Sequence, residues 1–161
     1  MVWSDNDLLD GVNYLFDYQK WYLSNGDKNP KIDAVTHHIL NLKHNPGTEK
    51  HDPQRHANAV NFFSRRLTVA LGQLSERQLP KLAVIIPSST AHSISEGLAS
   101  IVSHACQARL IPHNCSCLTR VKSVPKKATG GSRSVEHHFN SIVMADNIFE
   151  RGSRILLIDD V

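Results

Sequence analysis

Two short runs of large apolar residues constrain the fold of this chain most strongly. They are Leu82–Ile86 and Ile155–Ile158. Each run is continuous, contains β-branched residues and is uninterrupted by a polar residue, a pattern typical of a central strand that is buried on both faces. The sequence therefore predicts an α/β protein built around a parallel sheet.

The order of elements after the first run supports this prediction. Pro87 and three hydroxyl residues follow the strand, and a helix is then predicted to about His104, with these apolar residues on its buried side: Ile94, Leu98, Ile101, Val102 and Ala105. A second strand is predicted at Ala108–Pro112 and a further short strand at Ser141–Met144. A strand, loop, helix and strand in this order form a βαβ unit, which requires a parallel sheet.

The first 80 residues are predicted to be helical. Helices are expected at Asp5–Tyr22, at Ile32–Lys43 and along an apolar stripe from Ala57 to Leu74 that is closed by Pro80. The predicted organisation is a helical portion over residues 1–80 and an α/β portion over residues 81–161. At 161 residues and 40% apolar content, one unit with a real core is the expectation.

Charge is distributed unevenly along the chain. The 18 basic and 15 acidic residues give a net charge of +3, too small to indicate a nucleic-acid or membrane partner. Between Glu96 and Glu136, however, there is no acidic residue, and the segment contains Arg109, Arg120, Lys122, Lys126, Lys127 and Arg133. Part of it, residues 123–134, has paired glycines and no apolar periodicity, which predicts a surface loop. This segment is expected to attract anions.

Other features indicate a cytoplasmic location. The start of the chain lacks the basic and apolar regions of a secretory signal, and no apolar stretch approaches the roughly 18 residues needed to cross a bilayer. The cysteines are Cys106, Cys115 and Cys117, an odd number that suits free thiols in a reducing compartment.

Asp159 and Asp160 directly follow the second apolar run. Ligands of parallel α/β sheets bind at the carboxyl ends of the strands, so adjacent acids there can accept hydrogen bonds from vicinal hydroxyls or hold Mg²⁺ through water. The same pattern also occurs in response-regulator receivers and in Walker B strands, and on its own it leaves these alternatives open.

Residues Arg154–Val161 resemble the start of the phosphoribosyl diphosphate (PRPP) motif of type I phosphoribosyltransferases. The loop Pro87–Thr90 after a strand is similar to the pyrophosphate loop of that family, and the basic Gly-Gly segment stands where the family has a flexible loop. Ile39–Lys43 and Leu118–Arg120 match short motifs of the ComF-like branch. The resemblance covers nearly the whole chain. It implies a phosphoribosyltransferase-like parallel sheet flanked by helices, incomplete at the C-terminus.

The resemblance also implies the roles of individual residues. Asp159 and Asp160 would hold the ribose hydroxyls and Mg²⁺ as catalytic and metal-binding residues. Contacts to PRPP or its pyrophosphate group would come from two sets of residues, Pro87, Ser88, Ser89 and Thr90 on one loop, and Arg120, Lys126, Lys127 and Arg133 on a loop that closes over it. The expected ligand is PRPP or a nucleotide.

Two departures from the family qualify this expectation. The stretch Ala91–Gly97 contains no Arg or Lys, whereas ComF-like members have a basic residue followed by Gly in the pyrophosphate loop. The family's Thr-Thr-Gly or Thr-Ser-Gly turn does not follow Val161 in this sequence. As written, the chain is therefore expected not to complete a phosphoribosyl transfer. Either a homodimer or a completing partner chain covers the exposed sheet, or the chain is a fragment.

Parts of the sequence also fit functions of other classes. A non-catalytic relative would sense PRPP or a nucleotide, or act in DNA uptake or defence as ComF-like proteins suggest. A zinc site would draw on His113, Cys115 and Cys117, but the Cys-x-Cys spacing is not that of structural zinc knuckles. The candidates to complete such a site are His104, Cys106, His137 and His138. Nucleic-acid binding is disfavoured because no aromatic residue lies between Arg109 and Arg133 to stack on bases.

Overall fold

The structure is a computed structural model that describes residues 19, 21–43, 52–115, 117–124, 135–145, 150 and 152–159. Its helices are α1 (Ala34–Lys43), α2 (Pro53–Gly72), α3 (Glu96–Gln107) and α4 (Val135–Phe139). Its strands are β1 (Leu82–Ile85), β2 (His113–Cys115), β3 (Leu118–Arg120), β4 (Ile142–Met144) and β5 (Ile155–Ile158). None of these helices is long and apolar enough to span a membrane.

A parallel sheet of three strands lies at the centre of the described chain, in the order β2-β1-β5. The helix α3 connects β1 to β2, which completes the predicted βαβ unit. Strand β1 pairs with β5 from Leu82↔Ile155 to Ile85↔Ile158. The mixed α/β class and the parallel pairing agree with the sequence prediction. A separate antiparallel ribbon joins β3 and β4.

Helices α1, α2 and α3 pack against one another, and α3 contacts β1 and β2. Asp52 caps α2 by accepting a hydrogen bond from the Arg55 amide at 3.0 Å, and Pro53 starts the helix, where a missing N–H costs nothing. The core cluster takes residues from α1, α2, β1 and α3, so it crosses residue 80 and joins the two predicted portions. Helix α1 approaches α3 closely at Gly97, where a Cβ atom would lie 3.2 Å from the carbonyl oxygen of Leu42.

The predicted strand at Ala108–Pro112 is wrong. Helix α3 ends there in a Schellman turn: the amide of Arg109 donates to the Cys106 carbonyl at 2.9 Å, and that of Leu110 to the Ala105 carbonyl at 3.2 Å. Arg109 is in the left-handed conformation, with φ of 57°. The segment is apolar because Leu110 and Ile111 pack on the core, and the strand begins only at His113.

Replacing Arg109 by Gly is expected to stabilise the protein by about 1 kcal/mol, because an L-residue pays to adopt the left-handed conformation and Gly does not. Urea unfolding would measure the change. Arg77→Gly is the control: Arg77 is also exposed but has a negative φ, so its replacement should be neutral or destabilising. A loss of stability in Arg109→Gly would contradict the assignment of this turn.

Strand β5 forms where it is predicted, but it is not buried on both faces. Ile155 and Leu157 are 42% and 55% exposed, whereas Leu156 and Ile158 pack against the core. Among the described residues, β5 pairs with β1 and stands at the edge of the sheet. All four residues of β5 are apolar, but they point alternately to the core and to the exposed face of the strand.

The predicted helix Asp5–Tyr22 is only partly within the described residues. Trp21 and Tyr22 are not helical, and Tyr22 forms an isolated antiparallel bridge with Lys28 across a turn at Gly26. Residues 1–18 lie outside the described chain. The predicted helix Ile32–Lys43 is confirmed as α1, and the stripe from Ala57 to Leu74 lies mostly on α2.

An aromatic cluster joins α1 to α2. The imidazole of His38 stacks on Phe62, with ring centroids 4.2 Å apart, and the Arg66 guanidinium lies 3.6 Å from the same ring centroid. The Nδ1 atom of His38 is buried and has no hydrogen-bond partner among the described residues. Burial lowers the pKa of His38, and the charges of Arg66 and His37 lower it further.

This environment predicts that acid destabilises the protein. The unfolded chain binds a proton at His38 near pH 6.5, the ordinary pKa of histidine, whereas the folded chain binds it only at lower pH. The unfolded state thus holds more protons between the two values, and stability contributed by neutral His38 is lost as pH falls below about 6.5. Urea unfolding from pH 8 to 5 would show this. His38→Phe should lose stability less steeply, and an unchanged slope would contradict the prediction.

Candidate functional site

The carboxyl edge of the parallel sheet brings two of the predicted functional segments together. Because β1 and β5 are adjacent, parallel and in register, the residues that follow them leave the sheet at the same end. The Ile86 amide continues the pairing by donating to the Ile158 carbonyl at 2.9 Å. Pro87 and Asp159 are the next residues on each chain segment, so the loop Pro87–Thr90 begins beside Asp159.

The loop after β1 is held by hydrogen bonds from its own backbone. The Ser88 amide donates to the Ser93 carbonyl at 3.0 Å, and the Thr90 amide to the Ser88 hydroxyl at 3.2 Å. The Ala91 amide donates to Ser123 Oγ at 2.8 Å. His92 has a φ of 57°, and its amide donates to the Arg120 carbonyl at 2.8 Å.

These bonds limit which groups of the loop can contact a ligand. The amides of Ser88, Thr90, Ala91 and His92 already donate to protein acceptors. Within the described residues, the Ser89 amide has no acceptor. The other loop donors not bonded to described residues are the hydroxyls of Ser89, which is half-buried, and of Thr90, which is exposed.

Arg120 is not on a closing loop, where the sequence placed it. It is the last residue of β3, and only 4% of it is exposed. Its Nε donates to the Ser88 carbonyl, its Nη1 to Ser141 Oγ, and its Nη2 to the Pro87 carbonyl at 3.4 Å. Pairing of β3 with β4 sets Arg120 opposite Ile142, next to Ser141, and this register brings the guanidinium to its partners.

The positive charge of Arg120 and the negative charge of Asp159 interact at the site. Burial lowers the pKa of the Arg120 guanidinium, and the negative charge of Asp159 acts in the opposite direction. Asp159 is exposed at the end of β5. The site thus combines an exposed carboxylate with a buried cation.

The segment after β3 lines the other side of the loop. The Val124 amide donates to the Ser89 carbonyl at 2.9 Å, and Ser123 accepts from Ala91 as described above. Ser123 and Ser141 were not predicted as site residues. Isolated serines carry no sequence signal of this kind, because each acts through a partner more than 20 residues away.

No group of three or more His, Cys, Asp or Glu side chains converges among the described residues. Burial raises the pKa of the Cys106 thiol, which disfavours the thiolate that binds zinc. The side chains of His113 and Cys115 lie outside the described set.

Six predicted site residues therefore meet at one edge of the sheet: Pro87, Ser88, Ser89, Thr90, Arg120 and Asp159. The other four predicted site residues lie outside the described residues: Lys126, Lys127, Arg133 and Asp160. No protein-family model, curated protein or solved structure matches this chain.

Proposed function

We propose that the sheet edge at Pro87–Thr90 and Asp159 binds the ribose and phosphate groups of PRPP or of a nucleotide, as in a phosphoribosyltransferase-like protein. The observation that carries this proposal is the in-register pairing of β1 with β5, which starts both segments at the same edge. Parallel α/β sheets bind ligands at this edge.

The chemistry of the exposed groups suits such a ligand. The carboxylate of Asp159 is an acceptor for vicinal ribose hydroxyls, while the Ser89 amide and the hydroxyls of Ser89 and Thr90 are donors for phosphate oxygens. An exposed carboxylate is also a hard oxygen ligand and fits Mg²⁺. When bound with PRPP, Mg²⁺ would neutralise charge on the pyrophosphate group.

Binding without turnover is the second candidate function. Its support is the engagement of the loop amides of Ser88, Thr90, Ala91 and His92 by protein acceptors, together with the lack of Lys or Arg from residue 87 to 97. Stabilising a pyrophosphate leaving group requires donors that are free to meet the developing charge. A sensor of PRPP or nucleotides has no such requirement.

The expected result is that PRPP with Mg²⁺ stabilises the folded chain. Ligand at about 100 times its Kd contributes about 2.7 kcal/mol, which corresponds to a rise in Tm of roughly 5–10 °C for a chain of this size. Asp159→Asn should remove most of the rise by weakening the contact with the ribose hydroxyls and Mg²⁺. Differential scanning fluorimetry would measure both.

Glu76→Gln is the matched control, because Glu76 is exposed and distant in sequence from the edge, and it should keep the full rise in Tm. No shift at millimolar PRPP, or an equal loss in both variants, would count against the proposal. Pyrophosphate release with a panel of bases then separates the two candidates, since a sensor binds PRPP but releases no pyrophosphate.

A further inference from the structure

We infer that Arg120 is a positioning residue that aims the Ser89 amide into the proposed site, and that it does not itself contact the phosphate groups. The inference rests on the proposed function for the identity of the ligand. Its geometric part, the control of the loop by Arg120, can be measured without any ligand.

The guanidinium of Arg120 joins three segments that are far apart in sequence. Its donors reach the carbonyls of Pro87 and Ser88 in the loop after β1, and the hydroxyl of Ser141 before β4. Ser141 in turn donates to the His138 carbonyl at 2.7 Å. A planar fork of donors is suited to this task, whereas an ammonium group is a single point of attachment.

The same geometry makes Arg120 unavailable to a ligand. Only 4% of the residue is exposed, and each of its three side-chain nitrogens donates to a protein oxygen. Its backbone carbonyl is also engaged, by the His92 amide. Arg120 is therefore hydrogen-bonded to both ends of the loop, at Pro87–Ser88 through its side chain and at His92 through its backbone.

The orientation of the Ser89 amide follows from peptide geometry. The Ser88 carbonyl and the Ser89 N–H belong to one peptide unit, and no described peptide bond is cis. In a trans peptide the C=O and N–H bonds point in opposite directions. Since the Ser88 carbonyl points to the buried guanidinium, the Ser89 N–H points away from it. This is the loop amide that has no acceptor among the described residues.

The test combines calorimetry and amide NMR on the full chain, with inorganic pyrophosphate and Mg²⁺ as the probe. In the unaltered protein, the Ser89 resonance should shift most strongly on titration. Arg120→Lys keeps the charge but loses the fork, so pyrophosphate should bind about tenfold more weakly and the Ser89 response should disappear. Arg77→Lys, the same substitution at an exposed turn, should behave like the unaltered protein.

Ser141→Ala provides a second variant in case Arg120→Lys does not fold. It removes one acceptor of the guanidinium and leaves the loop carbonyls in place, so a smaller loss of affinity is expected, of about threefold. A folded Arg120→Lys protein that binds pyrophosphate as tightly as the unaltered chain would overturn the inference. So would weakened binding with an intact Ser89 response, because Arg120 would then act on the ligand directly.

Failure of the proposed function would give a different result. The unaltered protein would then not bind pyrophosphate or PRPP, but ligand-free spectra would still test the role of Arg120. The amides of Ala91, His92 and Val124 should exchange about tenfold faster in Arg120→Lys than in Arg77→Lys. Equal exchange in the two variants would overturn the positioning role whatever the ligand.

Discussion

Ile111→Ala is expected to lower the free energy of unfolding by about 2–5 kcal/mol, the range for deleting a fully buried Ile side chain from a packed core. Ile111 is 0% exposed and belongs to the core cluster, although it lies in the irregular segment between α3 and β2. The loss combines the transfer of apolar surface with the cavity that remains. Urea unfolding at fixed pH would measure it.

Val69→Ala is the control for this prediction. Val69 lies on α2 and is 54% exposed, so its truncation should change stability by less than about 0.5 kcal/mol. A similarly small effect for Ile111→Ala would mean that the segment is not anchored in the core. Its apolar residues would then need another explanation.

The segment around Ile111 also shows why a strand was wrongly predicted at Ala108–Pro112. Its neighbours Leu110 and Pro112 complete a short apolar segment that suits a strand, but the turn at Arg109 has no Gly to mark the end of α3. Apolar content indicates burial, and burial does not require a strand. The prediction therefore placed a strand where the backbone turns and only Ile111 is fully buried.

The elements α2, β1 and β5 are predicted better because their sequence signals are local. The stripe along α2 repeats over several turns, and β1 and β5 are continuous apolar runs bounded by polar residues. Meeting of Pro87 and Asp159 at one edge was also predictable, since it follows from parallel pairing alone. The structure adds that β1 and β5 are direct neighbours, which places Pro87 next to Asp159.

Arg120 could not be assigned correctly from the sequence. Its partners Ser88 and Ser141 are 32 and 21 residues away, and no local pattern reports such contacts. A basic residue in an acid-free segment is expected to be solvated and to attract anions. Pairing of β3 with β4 instead places it beside backbone carbonyls, and each of its side-chain nitrogens donates to a protein oxygen.

Leu156→Asp is expected to destabilise the protein by about 3 kcal/mol or more, because it places an unpaired carboxylate on the core face of β5. Leu156 packs against the core cluster, and its partner in β1 is Ala83, which is 0% exposed. Urea unfolding, with Tm as a second readout, would measure the loss.

Leu157→Asp makes the same chemical change one residue further along the strand. Leu157 is 55% exposed on the opposite face, so the expected cost is about 1 kcal/mol or less, the scale of β propensity. The comparison separates two descriptions of β5, because the apolar run alone predicts equal damage at both positions. Equal losses would mean that the second face is covered in solution, as the expected homodimer or partner chain would require, and sedimentation of the unaltered protein would then distinguish a second copy from a different partner.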